Sequence, residues 1–130
     1  MKSVVICASN KFAKEARAFA KGLEKLGAEV LIPPFYRASG GDLEALSASD
    51  RRVVAAGLVH DHFHKIRQAD VVFIFNKDGY AGNSTNIEIG YAAALNKPIY
   101  AFSNKDSDPG RAILFQGVAK KPKELVEKLK

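Results

Sequence analysis

Ala69-Asp70-Val71-Val72-Phe73-Ile74-Phe75-Asn76 is the most strongly apolar strand-like run of this chain, with Asp70 its only charge. A glycine-containing loop, Lys77 to Asn83, follows it. Next come a small-residue apolar helix, Ser84 to Leu95, and a further strand, Pro98 to Phe102. Apolar strands joined through a helix belong to a parallel sheet covered on both faces.

The same alternation extends toward both ends. Ser3 to Ala8 is an apolar β-type run. Asn10 can cap a helix from about Lys11 to Leu26, in which Phe12, Ala16, Phe19, Ala20, Leu23 and Leu26 keep helical spacing until Gly27. Ala28 to Ile32 reads as a strand closed by Pro33-Pro34, which continue neither element easily. Phe35 to Leu46 is a Gly-, Ser- and Ala-containing loop, and a second helix runs from roughly Ser49 to Gln68. Asn104 to Gly110 is a loop, Arg111 to Val118 fits helix or strand, and Lys121 or Pro122 opens the last helix. The expected architecture is a doubly wound α/β sheet, a flavodoxin-like three-layer sandwich, in one domain over residues 1–130. Ligands in such sheets bind at the carboxyl ends of the strands beside the switch in strand order. That rule selects four loops: Ser9 to Phe12, Pro34 to Gly41, Asn76 to Ser84, and Ser103 to Asp108.

Composition narrows the partners. The chain has 130 residues, 47% of them hydrophobic, enough for one sizeable core and too few for a second domain. No apolar run approaches the ~18–20 residues of a membrane span, and the opening residues lead straight into a strand, so a cytoplasmic protein without membrane contact is expected. The net charge of +6 invites a nucleic-acid reading. Half of that excess lies in Val118 to Lys130, with five Lys against two Glu, and no aromatic-interleaved basic stripe accompanies it. A small anionic ligand therefore fits better than a polymer. Cys7 is the single cysteine, which excludes an intrachain disulfide and reads as a buried thiol at a strand end.

Between Gly79 and Asn96 the only charged side chain is Glu88. At helical spacing it shares a face with Tyr91, Ala92 and Leu95, where desolvation would raise its pKa and suit a nucleophile or proton donor. An acid stabilised by the helix dipole accounts for the same residue. Gly82-Asn83-Ser84-Thr85 places small residues and free N–H groups at the helix start, where a phosphate or sugar oxygens can be held, or where Asn83 or Ser84 simply caps.

Asp70-Val71-Val72, Ser84-Thr85-Asn86-Ile87-Glu88-Ile89-Gly90-Tyr91-Ala92 and Asn96-Lys97-Pro98-Ile99 together resemble the nucleoside 2-deoxyribosyltransferase family, including its deoxynucleoside monophosphate N-glycosidase branch. The order of elements agrees over nearly the whole chain, and the detailed match covers about residues 69–102. The resemblance implies that Glu88, the glutamate preceding Ile-Gly, is the nucleophile that attacks C1′ of the sugar. It implies that Ser9, Asn10 and Phe12 in the first loop meet the sugar and any 5′-phosphate, beside Asn83, Ser84 and Thr85. Asp61 falls roughly where the family carries another substrate-contacting acid; an exposed helical acid is the other reading of it. No cofactor or metal is implied, the ligand is a nucleoside or nucleotide, and homo-oligomers that share residues across the pocket are common.

Two positions depart from the family. An aspartate that contacts the base lies six residues before the nucleophile, where this chain has Gly82, and the glycine usually found four before it is Ser84. Asp78 could supply the missing acid, or could belong to a plain Asp-Gly turn. The absent acid keeps open a non-catalytic nucleotide-binding sensor, and a TIR-like NAD glycohydrolase is a further alternative. His60, His62 and His64 invite a metal reading; His60 and His64 share a helix face, but no glutamate lies between them in the required pattern, no third ligand is evident, and no metal site is expected. Tyr36, Tyr80 and Tyr91 could flank a base or pack the rim.

Overall fold

A computed structural model describes residues 1–130. Five strands, β1 (Val4–Cys7), β2 (Val30–Leu31), β3 (Val71–Ile74), β4 (Ile99–Ala101) and β5 (Gly117–Val118), form one sheet in the order β2-β1-β3-β4-β5. Every pairing is parallel, as the apolar runs and intervening helices predict. The helices are α1 (Ala13–Lys25), α2 (Ala48–Gln68), α3 (Asn83–Ala94), α4 (Pro109–Ala112) and α5 (Pro122–Leu129). The order 2-1-3-4-5 is the flavodoxin-like one, and it turns back between β1 and β3.

Alternate side chains of a strand face opposite layers, and this divides the core. Val4, Ile6, Val71 and Phe73 pack with α1 and α5 residues such as Phe19, Leu23 and Leu125, while Val5, Cys7, Val72 and Ile74 pack with Ile66 of α2 and Ile89 and Ala92 of α3. Phe19 stacks on Phe73 with centroids 4.8 Å apart, fixing α1 over the sheet. At the end of α1, Gly27 takes φ +92°, and the Gly27 and Ala28 amides donate to the Glu24 and Leu23 carbonyls. That is a Schellman closure, for which glycine is the favoured residue.

Several boundaries differ from the sequence expectation, each for a local reason. The first helix starts with a 3-10 turn, Asn10–Phe12, before α1, and its cap is Ser9, whose hydroxyl accepts from the Lys11 amide at 3.2 Å. Asn10 does not cap; its Oδ1 accepts from the Ala38 amide at 3.1 Å and ties the loop after β2 to the loop after β1. The ambiguous segment 111–118 divides: Asp108 caps the short α4, and Gly117–Val118 adds an edge strand to β4. The 3-10 turn Leu43–Ala45 interrupts the loop before α2. No helix is long and apolar enough to cross a membrane.

Candidate active site

Where the strand order turns back, the ends of β1 and β3 leave a cavity of about 390 Å³, within the range of small-molecule sites. Ala8, Ser9 and Asn10 line it from the loop after β1, Pro33 to Arg37 from the loop after β2, and Tyr80 and Gly82 to Thr85 from the loop after β3 and the start of α3. Leu58, Val59 and His62 of α2 and Glu88 of α3 complete the wall. Three of the four expected loops therefore meet. Ser103 to Asp108 does not line the cavity and instead buttresses it: the Lys105 carbonyl lies against the α-carbon of Gly79.

The start of α3 is open to a ligand. Gly82 is its N-cap residue and no side chain caps it, so neither Asn83 nor Ser84 does so. The Asn86 amide is satisfied by the Gly82 carbonyl at 2.9 Å, which leaves the first-turn amides of Asn83, Ser84 and Thr85 without a capping acceptor. Arg37, also on the lining, brings a guanidinium that pairs with Glu44 at 3.2 Å on the surface. Amides at the positive end of a helix and the hydroxyls of Ser84 and Thr85 make this end of the cavity suited to an anion. A side chain at Gly82 would point toward Ser9 Oγ and the Tyr80 hydroxyl, 3.6 and 3.8 Å from an ideal β-carbon, so these two hydroxyls border the space where the family's base-contacting aspartate would stand.

Glu88 lies one turn into α3, with its side chain 14% exposed. His62 Nε2 is 3.9 Å from Glu88 Oε1 and 3.4 Å from Cys7 Sγ, and the donor atoms of the three residues all lie within 4.8 Å of one another. Burial pushes the Glu88 carboxyl up to about 8, opposed by the neighbouring Cys7 thiol. Burial, reinforced by Lys65 and opposed by Asp61 and the Ile6 backbone, lowers His62 to about 4. The Cys7 thiol, fully enclosed, is raised by burial and by Glu88. Near neutral pH the site thus holds a protonated carboxyl beside a neutral imidazole, and the 3.9 Å contact is not an ion pair.

Not every expected site residue reaches the cavity. Ser9, Asn10, Asn83, Ser84, Thr85 and Glu88 line it; Phe12, Asp61 and Asp78 do not. Phe12 is buried in the α1 layer, where it packs edge-on against Phe75 and Tyr80, because its helical spacing belongs to the core stripe. Asp61 is on the outer face of α2, paired with Lys65 at 2.7 Å, and the inward position one residue later is His62. Asp78 is exposed at φ +58° in an Asp-Gly turn and does not replace the acid missing at Gly82. Tyr36 and Tyr80 line the cavity, whereas Tyr91 stacks on Phe63 at 4.1 Å, and His60 and His64 are exposed. Sequence reasoning weighed His62 only as a metal ligand beside His60 and His64, and passed over Arg37. The signal for His62 was the step of four from Leu58 to His62 to Ile66, which shares one helix face.

The loop after β3 depends on Gly79. It holds φ +77°, and a β-carbon there would collide with the Lys105 carbonyl. Gly79→Ala is expected to cost at least about 2 kcal/mol from the left-handed backbone and the collision together. Thermal or urea denaturation checks this, and an unchanged midpoint would contradict it.

The sheet order and the cavity at its switch point define a doubly wound α/β protein with a small-molecule site. The family model described as nucleoside 2-deoxyribosyltransferase matches residues 6–124, from β1 into α5, and the chain belongs to that family. A search of the curated proteins finds no match. The family is one of enzymes of glycosyl transfer acting on small nucleoside substrates.

Proposed function

We propose that this protein cleaves or transfers at the N-glycosidic bond of a (deoxy)nucleoside or nucleoside 5′-monophosphate, with Glu88 as nucleophile. The observation that carries the reading is the single carboxyl on the cavity wall, one turn below an uncapped helix start. With the sugar seated against the loop after β1 and its 5′ end toward Asn83, Ser84 and Thr85, a Glu88 oxygen attacks C1′ as the bond to the base breaks. Water or a second base then resolves the glycosyl-enzyme. Incubation with nucleosides, deoxynucleoside monophosphates and NAD, scored for free base, tests the reading. Release from a nucleoside or monophosphate supports it; release from NAD alone makes the protein an NAD glycohydrolase.

Gly82 favours one second reading, a nucleotide-binding sensor without turnover, and ligand binding with no base release from any compound selects it. In either case a 5′-phosphate is expected to strengthen binding at least tenfold, since well-formed charge-assisted hydrogen bonds contribute roughly 1.5–3 kcal/mol each. Calorimetry with a nucleoside and its monophosphate measures this, and equal affinities would remove the phosphate from the account. We also propose a homo-oligomer in a cytoplasmic setting, with the outer face of α3, where Ile87 is 60% exposed and nothing covers Gly90, as its contact.

A further inference from the structure

The proposed reaction needs two things that this site does not hold ready. Glu88 must lose a proton to act as a nucleophile, and the departing base must gain one. Gly82 removes the acid expected near the base, and neither Asp61 nor Asp78 lines the cavity. Besides Glu88, the titratable side chains on the lining are Tyr36, Arg37, Tyr80 and His62. Imidazole is the commonest proton carrier among these types.

We propose that His62 carries a single proton between Glu88 and the base, so that the proton blocking the nucleophile is the one the leaving group receives. This deepens the glycosidic reading above and rests on it. The groups that face the ring are these. From β1, Cys7 Sγ touches Nε2 at 3.4 Å; from α3, Glu88 Oε1 lies 3.9 Å from the same nitrogen; on α2 itself, Asp61 and Lys65 flank His62 and pair with each other at 2.7 Å. Arg37 lines the cavity from the loop after β2. His62 is 2% exposed, yet it forms part of the cavity wall. His62 Nδ1 is the one buried side-chain nitrogen or oxygen with no hydrogen-bond partner. Where a bond to the other ring nitrogen fixes the tautomer of an imidazole, Nε2 is restricted to one role. At Nδ1 no partner lies within hydrogen-bond distance, the Ile6 backbone only favouring a protonated ring, and Nε2 is able to accept and then donate.

The steps balance. Before substrate binds, Glu88 is protonated and His62 neutral. With substrate seated, the proton passes from Glu88 to His62 Nε2 as attack begins; Glu88 holds it more tightly than His62 does, so the carboxylate is formed only transiently and is consumed by bond formation. The carboxylate attacks C1′, the C1′–N electron pair leaves with the base, and Nε2–H protonates that base. Water then attacks C1′ while giving a proton to Nε2, the ester electron pair returns to Glu88, and the imidazolium hands its proton back. One water is consumed, one base and one sugar hydroxyl are formed, and the site is restored. A second base can replace water in the last step by giving its own N–H proton.

The test uses a leaving group that needs no proton. Purine deoxynucleoside monophosphates and their N7-methylated counterparts, whose base departs already neutral, are compared in single turnovers with wild type, His62→Asn and His62→Gln. General acid catalysis contributes typically 10²–10⁴-fold. Base release from the unmodified substrate is therefore expected to fall at least about 100-fold in both variants. Release from the methylated substrate, which meets only the obstacle of the Glu88 proton, is expected to fall about tenfold at pH 7 and to return to within about threefold of wild type at pH 9, where solvent has taken that proton. The ratio of the two substrates within one preparation does not depend on how much protein is folded. An equal loss on both substrates, or no loss on either, would overturn the role of His62 and leave the glycosidic reading standing. Wild type that releases base from neither substrate would overturn that reading, and this proposal with it.

Discussion

Glu88→Gln is expected to abolish release of base, by at least about 10³-fold or roughly 4 kcal/mol in the barrier, while the fold and ligand binding persist. The amide keeps the shape of the carboxyl but cannot form the glycosyl ester. Glu88 is the only carboxyl that lines the cavity, so no neighbouring acid stands ready to take over the attack. Chromatographic assay of free base, paired with calorimetric titration of a monophosphate, separates lost chemistry from lost binding. Activity within a few-fold of wild type would remove Glu88 from the nucleophile's role.

The same substitution is expected to reshape the dependence of stability on pH. In the unfolded chain the Glu88 carboxyl ionises near its ordinary 4.5; in the folded protein burial holds the proton to about 8. Between these values the folded state binds the extra proton. The stability Glu88 contributes is thus complete below 4.5 and is lost as pH rises through 8. His62, lowered from 6.5 to about 4, acts oppositely: its contribution is present above 6.5 and lost as pH falls through 4. Glutamine does not titrate, so the difference between the two proteins isolates the carboxyl. From pH 5 to pH 8, Glu88→Gln should gain roughly 3 kcal/mol relative to wild type, because each unit of pH across the window is worth about 1.4 kcal/mol. Urea denaturation of both proteins at the two pH values measures it. Parallel curves would mean that the carboxyl is not desolvated.

The fold was legible because its signals are strong and local. The apolar run 69–76 contains β3, the stripe from Phe12 to Leu23 faces the sheet, and Gly27 ends α1 through a backbone angle that glycine adopts readily. Edge elements were less so: β5 is two residues long, and its placement comes from pairing with Tyr100 and Ala101 rather than from its own sequence. At the site, the isolation of Glu88 in an apolar helix was readable, as was the small-residue helix start. The facing side of α2 was not, since adjacent helical positions point about 100° apart and only tertiary packing shows that position 62, not 61, turns inward. Asn10 illustrates the same limit: its side chain is spent on Ala38, 28 residues away, where a local capping rule does not reach.

The account turns on a covalent bond to one carboxyl, and mass spectrometry reads it directly. A slowly turned-over deoxynucleoside monophosphate is incubated with the protein, quenched in acid and digested with trypsin. The segment from Asp78 to Lys105 contains two carboxyl side chains, Asp78 and Glu88, and fragmentation distinguishes them. The account predicts a sugar-phosphate adduct on Glu88 that forms with the release of base and is absent from Glu88→Gln. Base released in quantity with no adduct at any time, or an adduct on Asp78, would contradict it.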